Sequence, residues 1–464
     1  MTVHDLPHEL ISYIFSVGRD DDDRVIVPYL RTISSVCSVW RNVAISTSTL
    51  WSTIVYEPYA FSPAKPTDTT PTAMQIELKT SRVCERVRMF LARSRSASID
   101  LVVIIRRHNE EQIRRIANIV MPHLWRCSSL TLWHEDDAVH GIFFPLPDRL
   151  ERLEKLESHA QPIFLGAVTL FTKHSAPPLR SLCFKSSRGL PRLMDFVPTN
   201  TLTHLDLEIT SQSIDQTKFM QFLGRCTVLE ELRLPHWTIR ELVPDNVIPV
   251  SLPSLKSLHA NDTLALDFPM YLHTPNIVEL RLHNRWVRQP ELRDVRPTML
   301  QMETLIWDRQ SLLGLRHHHL MPFSSVKNLI LRNCADVLVL VYYLAVFPGE
   351  LWEAPDPPGA IRHPGFQGHH LLPRLEYLKI TGPKRGRVYY EAGVAASLFR
   401  ALLDVRPSLR VVVDPYVADD AGVRAFVERF GPRLAIVEWK DWNFWWHETY
   451  QYYDGSPSER HALF

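Results

Sequence analysis

The feature that most constrains this chain is a short pattern, L-x-x-L-x-L with other apolar or small residues tolerated, that returns at near-regular intervals. It occurs as CSSLTL from 127, LEKLES from 153, LRSLCF from 179, LTHLDL from 202, LEELRL from 229, LKSLHA from 255, IVELRL from 277, METLIW from 302, VKNLIL from 326 and LEYLKI from 375. The successive spacings are 26, 26, 23, 27, 26, 22, 25, 24 and 49 residues, the last being about two periods. One such hexapeptide is weak, because any amphipathic helix supplies it. Ten in near-register point to a repeat architecture, with a helical array carrying leucine stripes as the competing reading.

A strand of this pattern turns its leucines to one side. A single repeat cannot bury that side alone, so neighbours must stack. The period and pattern resemble degenerate leucine-rich repeats; the asparagine expected after the strand is mostly missing. The expected fold is therefore α/β, a solenoid with parallel strands on a concave face and helices on a convex one. The return paths fit: Phe219, Phe222, Leu223 and Cys226 fall at i, i+3, i+4, i+7, and Val423, Phe426, Val427 and Phe430 repeat that spacing. Upstream, Val83, Val87, Phe90 and Leu91 mark a helix, 97–105 a strand, and Ile113, Ile116, Ala117 and Val120 another helix, together a first, capping repeat. Two more strands are expected at 409–414 and 434–439.

Breaks in this order set the domain plan: a head over 1–56, a Pro/Thr-rich linker over 57–74, repeats over 75–438 and an aromatic tail over 439–464. The linker rests on four prolines and four threonines. The Pro- and Gly-rich segment 349–370, inside the double spacing, reads as an exposed insertion, either loop growth or a partner-binding loop. The aromatic run 439–453 is expected to close the open end of the stack, with an exposed binding patch as the alternative.

Composition narrows function by exclusion. Net charge is +1 over 464 residues, so no global field draws in nucleic acid or an anionic membrane. RSRSAS at 93–98 is too short a basic stretch to change that. The longest apolar run, 337–347, is too short to cross a bilayer and is expected to be a buried helix. The N-terminus lacks the basic-then-apolar order of a secretory signal. Six scattered cysteines without a C-x-x-C pair read as reduced thiols, consistent with cytoplasm or nucleus. No P-loop, nucleophile elbow or H-E-x-x-H occurs, so no catalytic residue, metal or cofactor is expected. His317–His319 and His369–His370 lack ligand spacing and read as surface histidines. The acidic run at 18–24 reads as a solvated loop.

The first fifty residues are a separate problem. Leu6, Leu10, Ile11, Ile14 and Phe15 form a first apolar block, with Pro7 suited to a first helical turn and Asp5 to its cap. Leu30, Ile33, Val36, Cys37 and Trp40 form a second, and Leu50 with Trp51 a third. Three short helices with this much apolar surface make a marginal unit, which wants a partner. LPHELISYIF, VCSVWRNVA and STLW, in that order over about residues 3–53, resemble the F-box. The acidic loop departs from that pattern by widening the first gap. The resemblance implies docking on the Skp-type adaptor of a cullin–RING ubiquitin ligase through Leu6, Pro7, Leu10, Ile14, Val36, Cys37 and Trp40, with Trp40 and Trp51 open to being internal core instead.

Joined to repeats, such a head implies a substrate-recognition subunit with no catalysis of its own. Its protein target would lie across the strand positions flanking each fourth-position leucine. Those are His204, Asp206, Glu231, Arg233, Ser257, His259, Glu279, Arg281, Thr304, Ile306, Asn328, Ile330, Tyr377 and Lys379. Mixed polarity and sign there suit a protein partner better than a uniformly charged ligand. The alternative is a non-catalytic repeat scaffold that acts outside a ubiquitin ligase.

Overall fold

The computed structural model of the chain describes residues 6–18, 23–57, 73–105, 110–134, 150–160, 177–185, 197–208, 216–234, 250–261, 272–283, 302–308, 323–332, 334, 340–341, 344–345, 372–381, 392–413 and 434–436. The chain divides into two compact units, Met1–Asn276 and Ile277–Phe464. The expectations for the 349–370 insertion, the 423–430 helix, the aromatic tail and the histidine runs lie outside the described residues.

The first unit opens with three helices: α1 (His8–Val17), α2 (Asp23–Val36) and α3 (Ser38–Ser46). A 3-10 turn, Ser48–Trp51, follows. The apolar stripe from Leu30 to Trp40, read from sequence as one face, is broken at Cys37. That residue is extended, at φ −157°, and its Sγ accepts a hydrogen bond from the Trp40 N–H, which caps α3. At α1 it is the Pro7 carbonyl that accepts the Leu10 and Ile11 N–H groups. Asp5, the cap expected from sequence, lies outside the described residues.

Thr53–Tyr56, placed by sequence at the end of the head, is instead the first strand, β1. It pairs in parallel with β2 (Ile99–Ile105), and α4 (Ala73–Arg93) forms the crossover. The series continues through β3 (Cys127–His134), β4 (Lys155–Ala160), β5 (Ser181–Lys185), β6 (His204–Glu208), β7 (Glu231–Leu234) and β9 (Ser257–Asn261). Each pairs in parallel with its predecessor in that order. Strands β8 (Val250–Ser251) and β10 (Leu272–His273) form a separate parallel pair. Helix α5 (Glu110–Val120) precedes β3, and α6 (Gln216–Arg225) lies between β6 and β7. In the second unit β11 (Glu279–His283), β12 (Thr304–Asp308), β13 (Asn328–Arg332), β14 (Tyr377–Thr381), β15 (Arg410–Val413) and β16 (Leu434–Ile436) repeat the arrangement, with α7 (Ala392–Val405) before β15. All ten repeat segments thus carry parallel strands, as do the three stretches expected at 97–105, 409–414 and 434–439, over Ile99–Ile105, Arg410–Val413 and Leu434–Ile436.

The pairing explains why the motif is spaced as it is. Each fourth-position leucine sits opposite the next: Leu130, Leu156, Leu182, Leu205, Leu232 and Leu258 in the first unit, and Leu280, Leu305, Leu329 and Leu378 in the second. All are buried, as are the first-position residues from Cys127 to Leu375. Each such leucine contributes about 2 kcal/mol of transfer free energy. The second-position carbonyl of one repeat accepts two N–H groups of the next, as Arg180 O does from Thr203 and His204, and Lys327 O from Glu376 and Tyr377. Backbone polar groups at the strand entrances are thereby satisfied between neighbouring turns. The helical stripes Val87, Phe90 and Leu91, then Ile113, Ile116, Ala117 and Val120, then Phe219, Phe222 and Leu223 complete the core. In the 337–347 run, Leu340, Val341, Leu344 and Ala345 are helical and buried.

Candidate interaction surfaces

Helix α1 is apolar on two sides. Ile11 and Phe15 point inward, and Phe15 meets Trp40 edge-on at 5.0 Å while its carbonyl accepts the Tyr29 hydroxyl at 2.8 Å. The other side carries Leu10, Tyr13, Ile14 and Val17, which keep 49, 68, 50 and 66% of their surface exposed. Spacings of three and four place these four on one stripe. Val36, at the end of α2, is 56% exposed, and Ile45 on α3 is also exposed. Of the residues picked from sequence, Pro7, Leu10, Ile14 and Val36 are exposed, and Leu6, Cys37 and Trp40 are half-buried. Trp51 is internal. It is buried, its Nε1 donates to the Ala44 carbonyl at 2.7 Å, its ring meets Phe90 at 5.0 Å, and the Arg93 guanidinium lies 4.3 Å above it. Tyr13 and Val17 were missed from sequence, although the same helical spacing contains them.

The strand face opposite the buried leucines carries the target-binding candidates. In the first unit pairing aligns His204 with Glu231 and Ser257, and Asp206 with Arg233 and His259. Glu231 takes the Arg233 Nε at 2.5 Å and lies 3.7 Å from the His204 ring. The same rows extend over strands that were not singled out. Lys155 meets Glu157 at 2.8 Å, Thr131 donates to Glu157 at 3.2 Å, and the buried His159 ring stacks on Trp133 at 4.0 Å. Burial alone would raise the Glu157 carboxyl; the His159 ring and the Lys155 ammonium outweigh it and hold the group at about 2. The signal for Thr131, Lys155 and Glu157 was present, because they hold the same positions within CSSLTL and LEKLES, whereas Trp133 and His159 lie one position past them.

In the second unit Glu279, Thr304, Asn328 and Tyr377 form one row, and Arg281, Ile306, Ile330 and Lys379 the next. All are half-buried except Ile306, which is buried and so offers no contact surface. Asn328 donates to the Thr304 hydroxyl at 3.2 Å. Arg281 donates to the buried Asp308, which stands one position beyond the six-residue motif and was therefore not picked out. Arg332 is aligned with Asp308 on the adjacent strand.

Among the described residues no group of three or more His, Cys, Asp or Glu is placed to hold a metal ion. All six cysteines are free, five of them buried. Burial pushes the Cys127 and Cys226 thiols up to about 12, which removes them as nucleophiles at neutral pH. No described helix is long and apolar enough to cross a membrane. No protein-family model matches the chain, and no curated protein matches it in sequence.

Proposed function

We propose that this chain is the substrate-recognition subunit of a Skp–cullin–F-box ubiquitin ligase, working in the cytoplasm or nucleus. The observation that carries the reading is the uncovered stripe of Leu10, Tyr13, Ile14 and Val17 on a helix whose other side is already packed. A chain of this composition gains nothing by leaving four large side chains in water on one helical turn after another unless a partner covers them. In this reading residues 3–53 are the F-box, and a Skp-type adaptor covers the stripe together with Pro7, Val36 and the half-buried Leu6, Cys37 and Trp40. The parallel strands are leucine-rich repeats, and their polar face holds a protein target. Ubiquitin transfer belongs to the cullin-bound partners, so the chain needs no catalytic residue or cofactor.

Affinity capture of the tagged full-length chain from proteasome-inhibited cells tests the assignment. The wild-type chain brings down a Skp-type adaptor and a cullin. Leu10→Asp with Val36→Asp loses both, because each places an unpaired charge in a contact that must dry out. Both positions face water in the free chain, so the fold is expected to survive. Capture of neither protein by the wild-type chain, or equal capture by the double variant, contradicts the assignment.

A further inference from the structure

Helices α4 and α5, with the 3-10 turn Met121–Arg126 that follows α5, border an open cavity of about 570 Å³. Small-molecule sites occupy roughly 300–1,000 Å³. The apolar part of the lining is Leu91 and Ala92 from α4, Ile119 from α5 and Pro122 from the turn. Leu91 is buried and Ile119 half-buried, so the floor offers contact to an apolar body. Hydrogen-bond donors stand around it. Arg88 and Asn118 line the cavity from exposed positions on α4 and α5, open to a molecule arriving from water. Arg115 also lines it and is fixed by an ion pair to Glu77 at 2.5 Å. His123 lines it from the turn. Burial first, and then the charge of the buried Arg126, lower the His123 pKa, so its ring is neutral at neutral pH and either donates or accepts. Arg126 itself donates to the carbonyls of Leu91, Arg95 and Ala97, neutral acceptors that leave its charge uncancelled. Three guanidiniums, Arg88, Arg115 and Arg126, thus stand against two carboxylates, Glu77 and the lining Glu111, a surplus of one positive charge.

We propose that this cavity binds a small organic acid, a single carboxylate on an apolar body. The planar fork of Arg88 takes the carboxylate by two parallel hydrogen bonds, with Asn118 and His123 as further partners. The body rests on Leu91, Ala92, Ile119 and Pro122. One surplus charge complements a monoanion better than a doubly charged phosphate ester. None of these residues belongs to the proposed adaptor or target surfaces, so the site does not rest on the ligase assignment.

The test is saturation-transfer NMR titration of the full-length chain with 2-naphthoate, 4-phenylbutyrate and octanoate, each against its primary amide. At least one acid is expected to bind about tenfold tighter than its amide. Arg88→Gln removes that difference and leaves amide binding in place. Ala92→Leu fills the cavity and weakens acid and amide alike. Both positions are exposed, so melting temperatures stay near wild type. 2-Naphthyl phosphate binds no tighter than 2-naphthoate. Leu10→Asp with Val36→Asp leaves every titration unchanged, because the head stripe takes no part. No saturable binding of any acid overturns the proposal, as do equal affinities within every acid and amide pair. So do discrimination that survives Arg88→Gln, binding indifferent to Ala92→Leu, tighter binding of the phosphate ester, or binding that is lost in the head variant.

Discussion

Leu10 and Ile11 are adjacent in sequence and opposite in role. Ile11 is 1% exposed and completes the inside of the head, whereas half of Leu10 remains in water. Cys37 shows how one side chain sets a boundary: its extended backbone and Sγ acceptor end one helix and start another where the apolar spacing alone ran straight through. It is also the only cysteine that is not buried. A maleimide added to the native chain is therefore expected to label Cys37 fast and the other five slowly, and bound adaptor should protect it. Mass spectrometry of early-time digests checks this; fast labelling of Cys84 or Cys226 would contradict the burial on which it rests. Glu157 offers a pH test. Its carboxyl, ordinarily near 4.5, is held at about 2 in the fold. The charged form thus favours the native state, fully above pH 4.5 and progressively less as pH falls toward 2. Glu157→Gln should cost about 1–2 kcal/mol at pH 6. Thermal melts should show the deficit narrowing below pH 4.5, and a constant deficit would contradict the coupling.

At the scale of elements, the strands were the most legible part. A leucine at every fourth motif position faces a leucine in the next repeat, as Leu205 faces Leu232 and Leu232 faces Leu258. One side chain therefore serves two interfaces, and its position is forced by both neighbours. β1 was not legible because TIVY carries no leucine pattern and follows the head without a break. Asp308 and Arg332 escaped notice for a related reason: they lie just past the hexapeptide, where the pattern has stopped. Leu232→Ala should cost about 2–5 kcal/mol, through lost transfer free energy and a cavity between β6, β7 and β9. Urea unfolding measures it. A loss under 1 kcal/mol would show that these leucines are not the shared core that the pairing implies.

For the whole molecule, the physical logic is a division of labour between two kinds of surface. Among the described residues the strand face is polar and carries ion pairs within itself, so it tolerates water. The head presents large apolar side chains to water, and in the proposed function it is the part that a standing partner covers. Isothermal titration of the purified full-length chain with a purified Skp-type adaptor tests this most directly. The account predicts one-to-one binding with a negative heat-capacity change, the mark of apolar burial. It also predicts that Leu10→Asp with Val36→Asp abolishes the heat of binding at an unchanged melting temperature. Absence of binding by the wild-type chain, or the same affinity in the double variant, would contradict it.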